Sequence, residues 1–228
     1  MKYQLIVLFG PPGSGKGTQA NILEKNYEYV QLGMSKMMLD YSDKMENVAT
    51  EHDRVKRIHD LISSGGLVGF EDVVSIMDMN FASNLRRGLQ MTLDGFPRTE
   101  NQSIWMSGLI TKEKIKTLFI HFELSLPTVL ERLEHRYYVK NSKEIYSSYD
   151  VALQNAPAGT LPFKRDLDLD KNILVKRYHE QYEAERVDIL EGVMNNPFVD
   201  VLTIDAAKPI EQIADIIKKK LIQYNFFA

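Results

Sequence analysis

A glycine-rich segment near the start of the chain has residue types suited to binding phosphate. It is Gly10-Pro11-Pro12-Gly13-Ser14-Gly15-Lys16-Gly17-Thr18, and it follows the apolar run Leu5–Phe9. Glycines let backbone N–H groups converge on anionic oxygens without obstruction by Cβ atoms. Lys16 adds a mobile charge for the β- and γ-phosphates of a nucleotide, and the N-terminus of the helical pattern that follows also attracts anions. The segment predicts a phosphate-binding loop with six contributing residues: Gly13, Ser14, Gly15, Lys16, Gly17 and Thr18.

A second segment combines a carboxylate with a guanidinium. It is Leu93-Asp94-Gly95-Phe96-Pro97-Arg98-Thr99, and Gln102 follows three residues later. We expect Asp94 to hold Mg²⁺ through water, with no direct protein ligand, because Mg²⁺ loses its waters reluctantly. Arg98 presents a planar fork of donors that fits phosphate oxygens. Because the segment ends a predicted strand, we expect it to face the same crevice as the phosphate-binding loop.

The elements that must position these residues alternate along the chain. Apolar, strand-like runs are Leu5–Phe9, Tyr29–Leu32, Gln90–Leu93, Thr117–Glu123 and Val199–Ile204. Helical patterns are Gly17–Lys25, Val55–Ser63, Glu71–Arg86, Leu126–Arg136 and Lys171–Val193. Nearly continuous apolar runs are typical of strands covered on both faces. The alternation predicts an α/β fold with a parallel sheet and right-handed crossovers.

Two stretches do not fit this alternation. Residues 33–69 are polar and mainly helical, and residues 137–165 are rich in Tyr, Ser, Asn and Pro without a long periodic pattern. A long stretch without a clear element is unusual in a compact domain unless it forms a lid or a binding loop. We therefore interpret both stretches as insertions that project from the edge of the sheet of a single domain, residues 1–228.

Composition excludes several classes of function. The 228 residues carry a net charge of −3, which argues against a broadly basic nucleic-acid-binding protein. The chain has no cysteine, which excludes disulfides and cysteine-ligated zinc. The apolar run Leu5–Phe9 is too short to cross a bilayer and leads directly into a turn. We expect a cytoplasmic, monomeric protein whose partners are small nucleotides, without a membrane or nucleic-acid partner.

The two motifs together resemble the adenylate kinase family of nucleoside monophosphate kinases. Most P-loop NTPases carry Ser or Thr directly after the loop lysine, whereas this chain has Gly17 and then Thr18. The resemblance runs from Leu5 to about Leu221. It implies a P-loop NTPase three-layer sandwich with a five-stranded parallel sheet, an acceptor-binding insertion at residues 34–69 and a lid at residues 137–168. The implied reaction is reversible transfer of a phosphoryl group from ATP to AMP, with Mg²⁺, to give two ADP.

The resemblance also implies which residues surround the transferring phosphoryl group. Phosphoryl transfer depends on alignment and on positive charge beside the equatorial oxygens. In the family that charge comes from the loop lysine and several arginines. The resemblance also implies that Arg132 and Arg136 of this chain bind ATP. The corresponding residues here, with the magnesium-side carboxylate, are Lys16, Asp94, Arg98, Arg132, Arg136, Arg165 and Arg177. At the lid return, counting back from Arg177 places Asp168 and Leu169 where the family has two aspartates, and Arg165 is one residue out of register.

The acceptor side departs from the family pattern. The family's base-contacting threonine is replaced by Met34, and its phosphate-binding arginine by Leu39. Lys36 is three residues before Leu39 on the same helix face and could supply the missing charge. The other implied acceptor contacts are Val68, Gly95, Arg98, Gln102 and Arg177. Two alternatives to an adenylate kinase therefore stay open: a kinase for another nucleoside monophosphate, and an ATP-binding relative with weak kinase activity.

Lys36→Ala is expected to raise the KM for the acceptor by roughly tenfold or more, because a charge-assisted contact to phosphate contributes about 1.5–3 kcal/mol. The KM for ATP should change little. Leu39→Arg should lower the acceptor KM and partly rescue Lys36→Ala, because both side chains would serve one phosphate. Steady-state kinetics of the four variants measures this coupling. A silent Lys36→Ala together with an ineffective Leu39→Arg would contradict the interpretation.

Overall fold

The central element is a parallel sheet of five strands. The computed structural model describes residues 3–140, 142 and 144–227, with side chains up to residue 223. The strands are β1 (Leu5–Phe9), β2 (Val30–Gly33), β3 (Met91–Asp94), β4 (Thr117–Glu123) and β7 (Val199–Asp205). Their order in the sheet is β2-β3-β1-β4-β7. Leu5 of β1 is in register with Met91 on one side and Thr117 on the other, so the phosphate-loop strand lies at the centre.

Burial of the central strands explains their sequences. Every residue of β1 is buried, and so is every residue of β4 except Glu123. Helices cover both faces, so these strands need apolar side chains at every position rather than at alternate positions. The predicted P-loop-type α/β fold with a five-stranded parallel sheet is confirmed. β1 and β4 have the predicted bounds, whereas β2 begins and ends one residue later than predicted.

Helices connect and flank the strands. Their bounds are α1 (Lys16–Tyr27), α2 (Met34–Met45), α3 (His52–Ser63), α4 (Phe70–Arg86), α5 (Glu100–Glu113), α6 (Leu126–Glu134), α7 (Tyr149–Gln154), α8 (Asp166–Leu169), α9 (Lys171–Tyr178), α10 (Arg186–Met194) and α11 (Ile210–Phe227). α1 packs against α11, and α5 packs against α10. Among the described residues, no helix is both long enough and apolar enough to cross a membrane.

Three features of the helices differ from the sequence interpretation. α5 was not predicted, because its buried side includes the polar residues Gln102 and Ser103 and lacks a clean apolar stripe. α11 was missed although it buries Ile213, Ile217 and Leu221 at a regular spacing of four residues. The single helix predicted over Lys171–Val193 is divided, because a π-helical turn at His179–Glu183 separates α9 from α10. Such turns are rare and often occur at functional sites.

Each of the two irregular stretches contains compact local structure. In the first, the guanidinium of Arg54 donates to Asp72 at 2.7 Å and to the hydroxyl of Tyr41 at 2.8 Å, and Tyr41 donates to Glu51 at 2.6 Å. This network joins α2, α3 and α4. In the second, β5 (Tyr137–Tyr138) and β6 (Ile145–Tyr146) form a short antiparallel pair, which is extended by a bridge between Tyr138 and Phe163. Strands of two residues leave no periodic signal in a sequence.

Candidate active site

A small cavity lies at the carboxyl ends of the central strands, where parallel sheets commonly bind ligands. Its volume is about 90 Å³. It is bordered by the end of β1, the phosphate-binding loop, the turn after β3, the end of α9 and the π-helical turn that follows α9. The lining residues are Leu8, Phe9, Gly10, Pro12, Lys16, Asp94, Gly95, Phe96, Pro97, Arg98, Arg177, Gln181 and Tyr182. The structure thus brings together the two motifs that the sequence singled out.

The conformation of the phosphate-binding loop requires glycine at two positions. Gly13 and Gly15 have φ of +76° and +87°, in the left-handed region that other residues rarely adopt. A Cβ at Gly13 would also lie 3.3 Å from the side chain of Leu133. Gly15 is the N-cap of α1, so the loop turns directly into a helix whose first N–H groups lack intrahelical partners. The loop therefore offers the backbone donors that bind phosphate in such turns.

Lys16 lines the cavity and is half-buried. Its Nζ donates to the carbonyl oxygens of Gly10 at 2.8 Å and Pro11 at 2.7 Å. Burial, opposed by the attraction of Asp94 and helped by repulsion from the neighbouring arginines, lowers the pKa of Lys16 from its usual 10.5 to about 8. The ammonium is therefore less stable in this cavity than in water, and an anionic ligand would stabilise it.

Arg98 is fixed by the turn that carries it. Its Nε donates to the carbonyl oxygen of Gly95 at 2.9 Å, and its backbone N–H donates to Oε1 of Gln102 at 2.8 Å. Thr99 caps α5 by accepting a hydrogen bond from the backbone N–H of Gln102. Burial lowers the pKa of Arg98, and the nearby Asp94 opposes that shift. The turn thus holds a second half-buried cation at the cavity wall.

Arg177 supplies a third cation from α9. Its Nε is buried and has no hydrogen-bond partner among the described residues. Burial, together with repulsion from Arg98 and Arg136 and against the attraction of Asp168, lowers the pKa of Arg177 to about 10. A buried donor without a partner is costly, and it points to a ligand that the protein is built to receive.

Arg136 differs from the cavity arginines because it has a carboxylate partner. Its Nη2 lies 2.6 and 2.7 Å from the two oxygens of Asp168, and its Nε donates to Oδ2 at 3.0 Å. Asp168 is only 5% exposed, so the pair is a buried bidentate contact between α8 and Arg136, which lies after the end of α6 because the helix predicted over Leu126–Arg136 stops at Glu134. The hydroxyl of Tyr138 lies 3.5 Å from the same carboxylate.

The two other predicted arginines do not line the cavity. Arg132 lies beside the phosphate-binding loop, with Nη1 3.4 Å from the carbonyl oxygen of Gly13 and Nη2 3.4 Å from that of Ala207. Arg165 is exposed, and its guanidinium lies over the ring of Tyr138 at 4.1 Å from the centroid. Arg132 therefore lies beside the phosphate-binding loop, whereas Arg165 lies with the two-stranded segment.

The predicted acceptor residues divide into a buried and an exposed group. Met34 is 3% exposed at the start of α2, and its Cβ would lie 3.6 Å from a Cβ added at Gly95. Val68 and Gln102 are also buried. Lys36 and Leu39 are exposed on α2. The structure therefore places Met34 beside the turn after β3. None of these five residues, buried or exposed, is among the residues that line the cavity.

Four cavity residues lie outside the two motifs and were not predicted as site residues from the sequence: Leu8, Phe9, Gln181 and Tyr182. The hydroxyl of Tyr182 lies 3.1 Å from Nε2 of the buried His121, and burial raises the pKa of Tyr182 to about 12. Gln181 is four residues after Arg177, a spacing that puts two residues on one helix face. That spacing is the available sequence signal, and the π-helical turn makes it less reliable.

The charge balance of the cavity favours a polyanion. Among the described residues that line it, three are cationic and Asp94 alone is acidic. The described residues contain no group of three or more His, Asp or Glu side chains that could hold a metal ion. Asp94 beside a phosphate-binding loop nevertheless fits Mg²⁺, which commonly keeps several waters and is bound by one or two carboxylates and the substrate phosphates.

The fold and this site define a P-loop phosphotransferase. The adenylate kinase family model matches residues 8–225. The adenylate kinase of Pelagibacter ubique (strain HTCC1062) is 27% identical over 221 residues, covering 95% of this chain and 98% of that protein. The adenylate kinase of Wolbachia pipientis subsp. Culex pipiens (strain wPip) is 27% identical over 226 residues, covering 95% and 97%. The chain belongs to the adenylate kinase family and is a nucleoside monophosphate kinase.

Binding of ATP at pH 8 is expected to take up protons through Lys16. With a pKa of about 8, Lys16 is partly neutral in the free protein, and the phosphates would raise its pKa, so up to about half a proton per protein is taken up. Titration calorimetry in buffers of different ionisation enthalpy measures this number. Lys16→Arg is the control, because a guanidinium is already charged at pH 8. Equal proton uptake by the wild-type protein and Lys16→Arg would contradict the interpretation that Lys16 is the group that takes up the proton when ATP binds.

Proposed function

We propose that the protein catalyses reversible, Mg²⁺-dependent transfer of a phosphoryl group from ATP to AMP, giving two ADP. The observation that carries this proposal is the convergence of Lys16, Arg98 and Arg177 on one small cavity with a single carboxylate, Asp94. In phosphoryl transfer, negative charge spreads over three equatorial oxygens between two phosphate-bearing substrates. Cations fixed in a water-poor cavity stabilise that charge better than cations in water do.

On the donor side, the phosphate-binding loop and Lys16 would hold the β- and γ-phosphates of ATP. Arg132 lies next to that loop, and Arg136 is close enough to lower the pKa of Lys16. Asp94 would hold Mg²⁺ through its waters. The ion, when bound, neutralises the phosphate charge that develops during transfer.

On the acceptor side, Arg98 and Arg177 would bind the α-phosphate of AMP and the phosphoryl group in transit. Residues 34–69 would form the acceptor-binding insertion and residues 137–168 the lid. Oε1 of Gln102 already accepts from the backbone N–H of Arg98, which leaves its amide N–H₂ as a donor for the base. Buried Met34 and Val68 would supply apolar contacts to that base. The enzyme would act as a monomer in the cytoplasm.

A second candidate, a kinase for another nucleoside monophosphate, is supported by the same segment. Met34 is buried where the family has a hydrogen-bonding threonine. Leu39, in place of the family's arginine, is 39% exposed and offers no charge to the acceptor phosphate. These two substitutions change the contact to the acceptor base and the contact to the acceptor phosphate, whereas the residues predicted to bind ATP match the family pattern.

An acceptor panel with ATP and Mg²⁺ tests the proposal. AMP is expected to give the highest kcat/KM among nucleoside monophosphates, monitored as diphosphate formation. Arg98→Ala and Arg177→Ala should each lower kcat at least about a hundredfold, since one fixed donor to developing charge contributes about 3 kcal/mol. Lys16→Met should nearly abolish transfer without unfolding the protein. Arg86→Ala, an exposed arginine of α4, is the matched control.

Two results would contradict this function. A preference for UMP, CMP or GMP over AMP would establish the second candidate instead. Unchanged kcat in both Arg98→Ala and Arg177→Ala would show that these cations do not act on the transferring group.

A further inference from the structure

The loop that ends α3 is hydrogen-bonded to the segment that carries Arg177. Nε2 of Gln181 donates to the carbonyl oxygen of Gly65 at 2.8 Å. These residues are 116 positions apart in the chain, so the contact joins the first irregular stretch to the π-helical turn. Gly65 has φ of +75°, a left-handed conformation that ends the helix and that other residues adopt with strain.

The same glycine packs against the stem of Arg177. A Cβ added at Gly65 would lie 3.4 Å from Cδ of Arg177 and 3.1 Å from Cδ2 of Leu167. A side chain at this position would therefore press on Leu167 of α8 and contact the stem of the arginine. Because Gly65 has none, the loop can lie directly on the aliphatic part of Arg177, whose Nε is buried without a partner.

Gln181 is suited to hold this arrangement because of where it lies. It lines the cavity together with Arg177 and Tyr182, and it is four residues after Arg177. Its hydrogen bond is to a backbone carbonyl, so it constrains the path of the loop and does not depend on a loop side chain. Three residues after Gly65 the chain reaches the buried Val68, which we place at the acceptor base.

We infer that Gln181 is a positioning residue that latches the acceptor-binding loop, residues 64–68, onto the stem of Arg177. This inference rests on the proposed function for the roles of Arg177 and Val68. The latch holds Val68, the contact to the acceptor base, in a fixed position relative to the guanidinium of Arg177. Binding of the acceptor and alignment of Arg177 therefore occur together. Preorganisation of this kind contributes to rate as well as to binding.

Gln181→Met tests the latch, because methionine has a similar length but no N–H donor. Loss of one neutral hydrogen bond should raise the acceptor KM and lower kcat, each by roughly two- to tenfold, with the KM for ATP changed less than about twofold. Hydrogen exchange of the amides of residues 65–69 in the nucleotide-free protein should become faster. Glu180→Gln, an exposed neighbour in the same turn, should change none of these quantities.

The double variant with Arg177→Ala separates positioning from direct contact with substrate. If Gln181 acts on kcat through Arg177, Gln181→Met should lower kcat by less than about twofold in the Arg177→Ala background. A full-sized effect in that background would overturn the inference, and so would an unchanged acceptor KM or unchanged exchange in the single variant. Kinetics use whichever monophosphate the wild-type protein phosphorylates best, so failure of the AMP assignment and failure of the latch are distinguishable.

Discussion

The site depends on three like charges being held in a small buried space with a single carboxylate among them. Burial lowers the pKa values of Lys16, Arg98 and Arg177, and repulsion from neighbouring arginines adds to the shift at Lys16 and Arg177. Such an arrangement is unfavourable in the free protein, because each cation has lost water without gaining a full partner. A phosphate-bearing ligand supplies the missing negative charge. The cations therefore make the empty cavity less stable and, for the same reason, make the binding of a nucleotide more favourable.

The fold uses its cationic side chains in two ways: Arg136 is paired with a carboxylate inside the protein, whereas the cavity cations stay available for a ligand. The buried pair of Arg136 and Asp168 gives one arginine a partner and ties the segment after α6 to α8. Lys16 and Arg98, in contrast, donate to backbone carbonyls, which orient the two cations without neutralising them. Central placement of β1 in the sheet brings the phosphate-binding loop, the turn after β3 and α9 to one edge. Positioning thus comes from the backbone, and the charge stays available for a ligand.

Local signals in the sequence were sufficient for the sheet and for the residues of both motifs. β1 and β4 were predicted to the residue, because strands covered on both faces must be apolar throughout. The pairing of Arg136 with Asp168 could not be predicted, since it joins residues 32 apart through tertiary packing. Arg132 and Arg136 are four residues apart and were both implied by the resemblance, yet they have different partners. Gln181 was missed because its contact with Gly65 depends on the path of a distant loop.

The free energy of unfolding of Arg177→Met in the absence of nucleotide tests the central claim most directly. Urea denaturation at pH 7 should show this variant to be more stable than the wild-type protein by about 1 kcal/mol or more, because an incompletely paired buried cation is removed. Saturating nucleotide should reverse the order, since the wild-type protein alone gains the full contact. Arg86→Met, which changes an exposed arginine, should stay within about 0.5 kcal/mol. A nucleotide-free Arg177→Met protein that is less stable than the wild type would contradict the account.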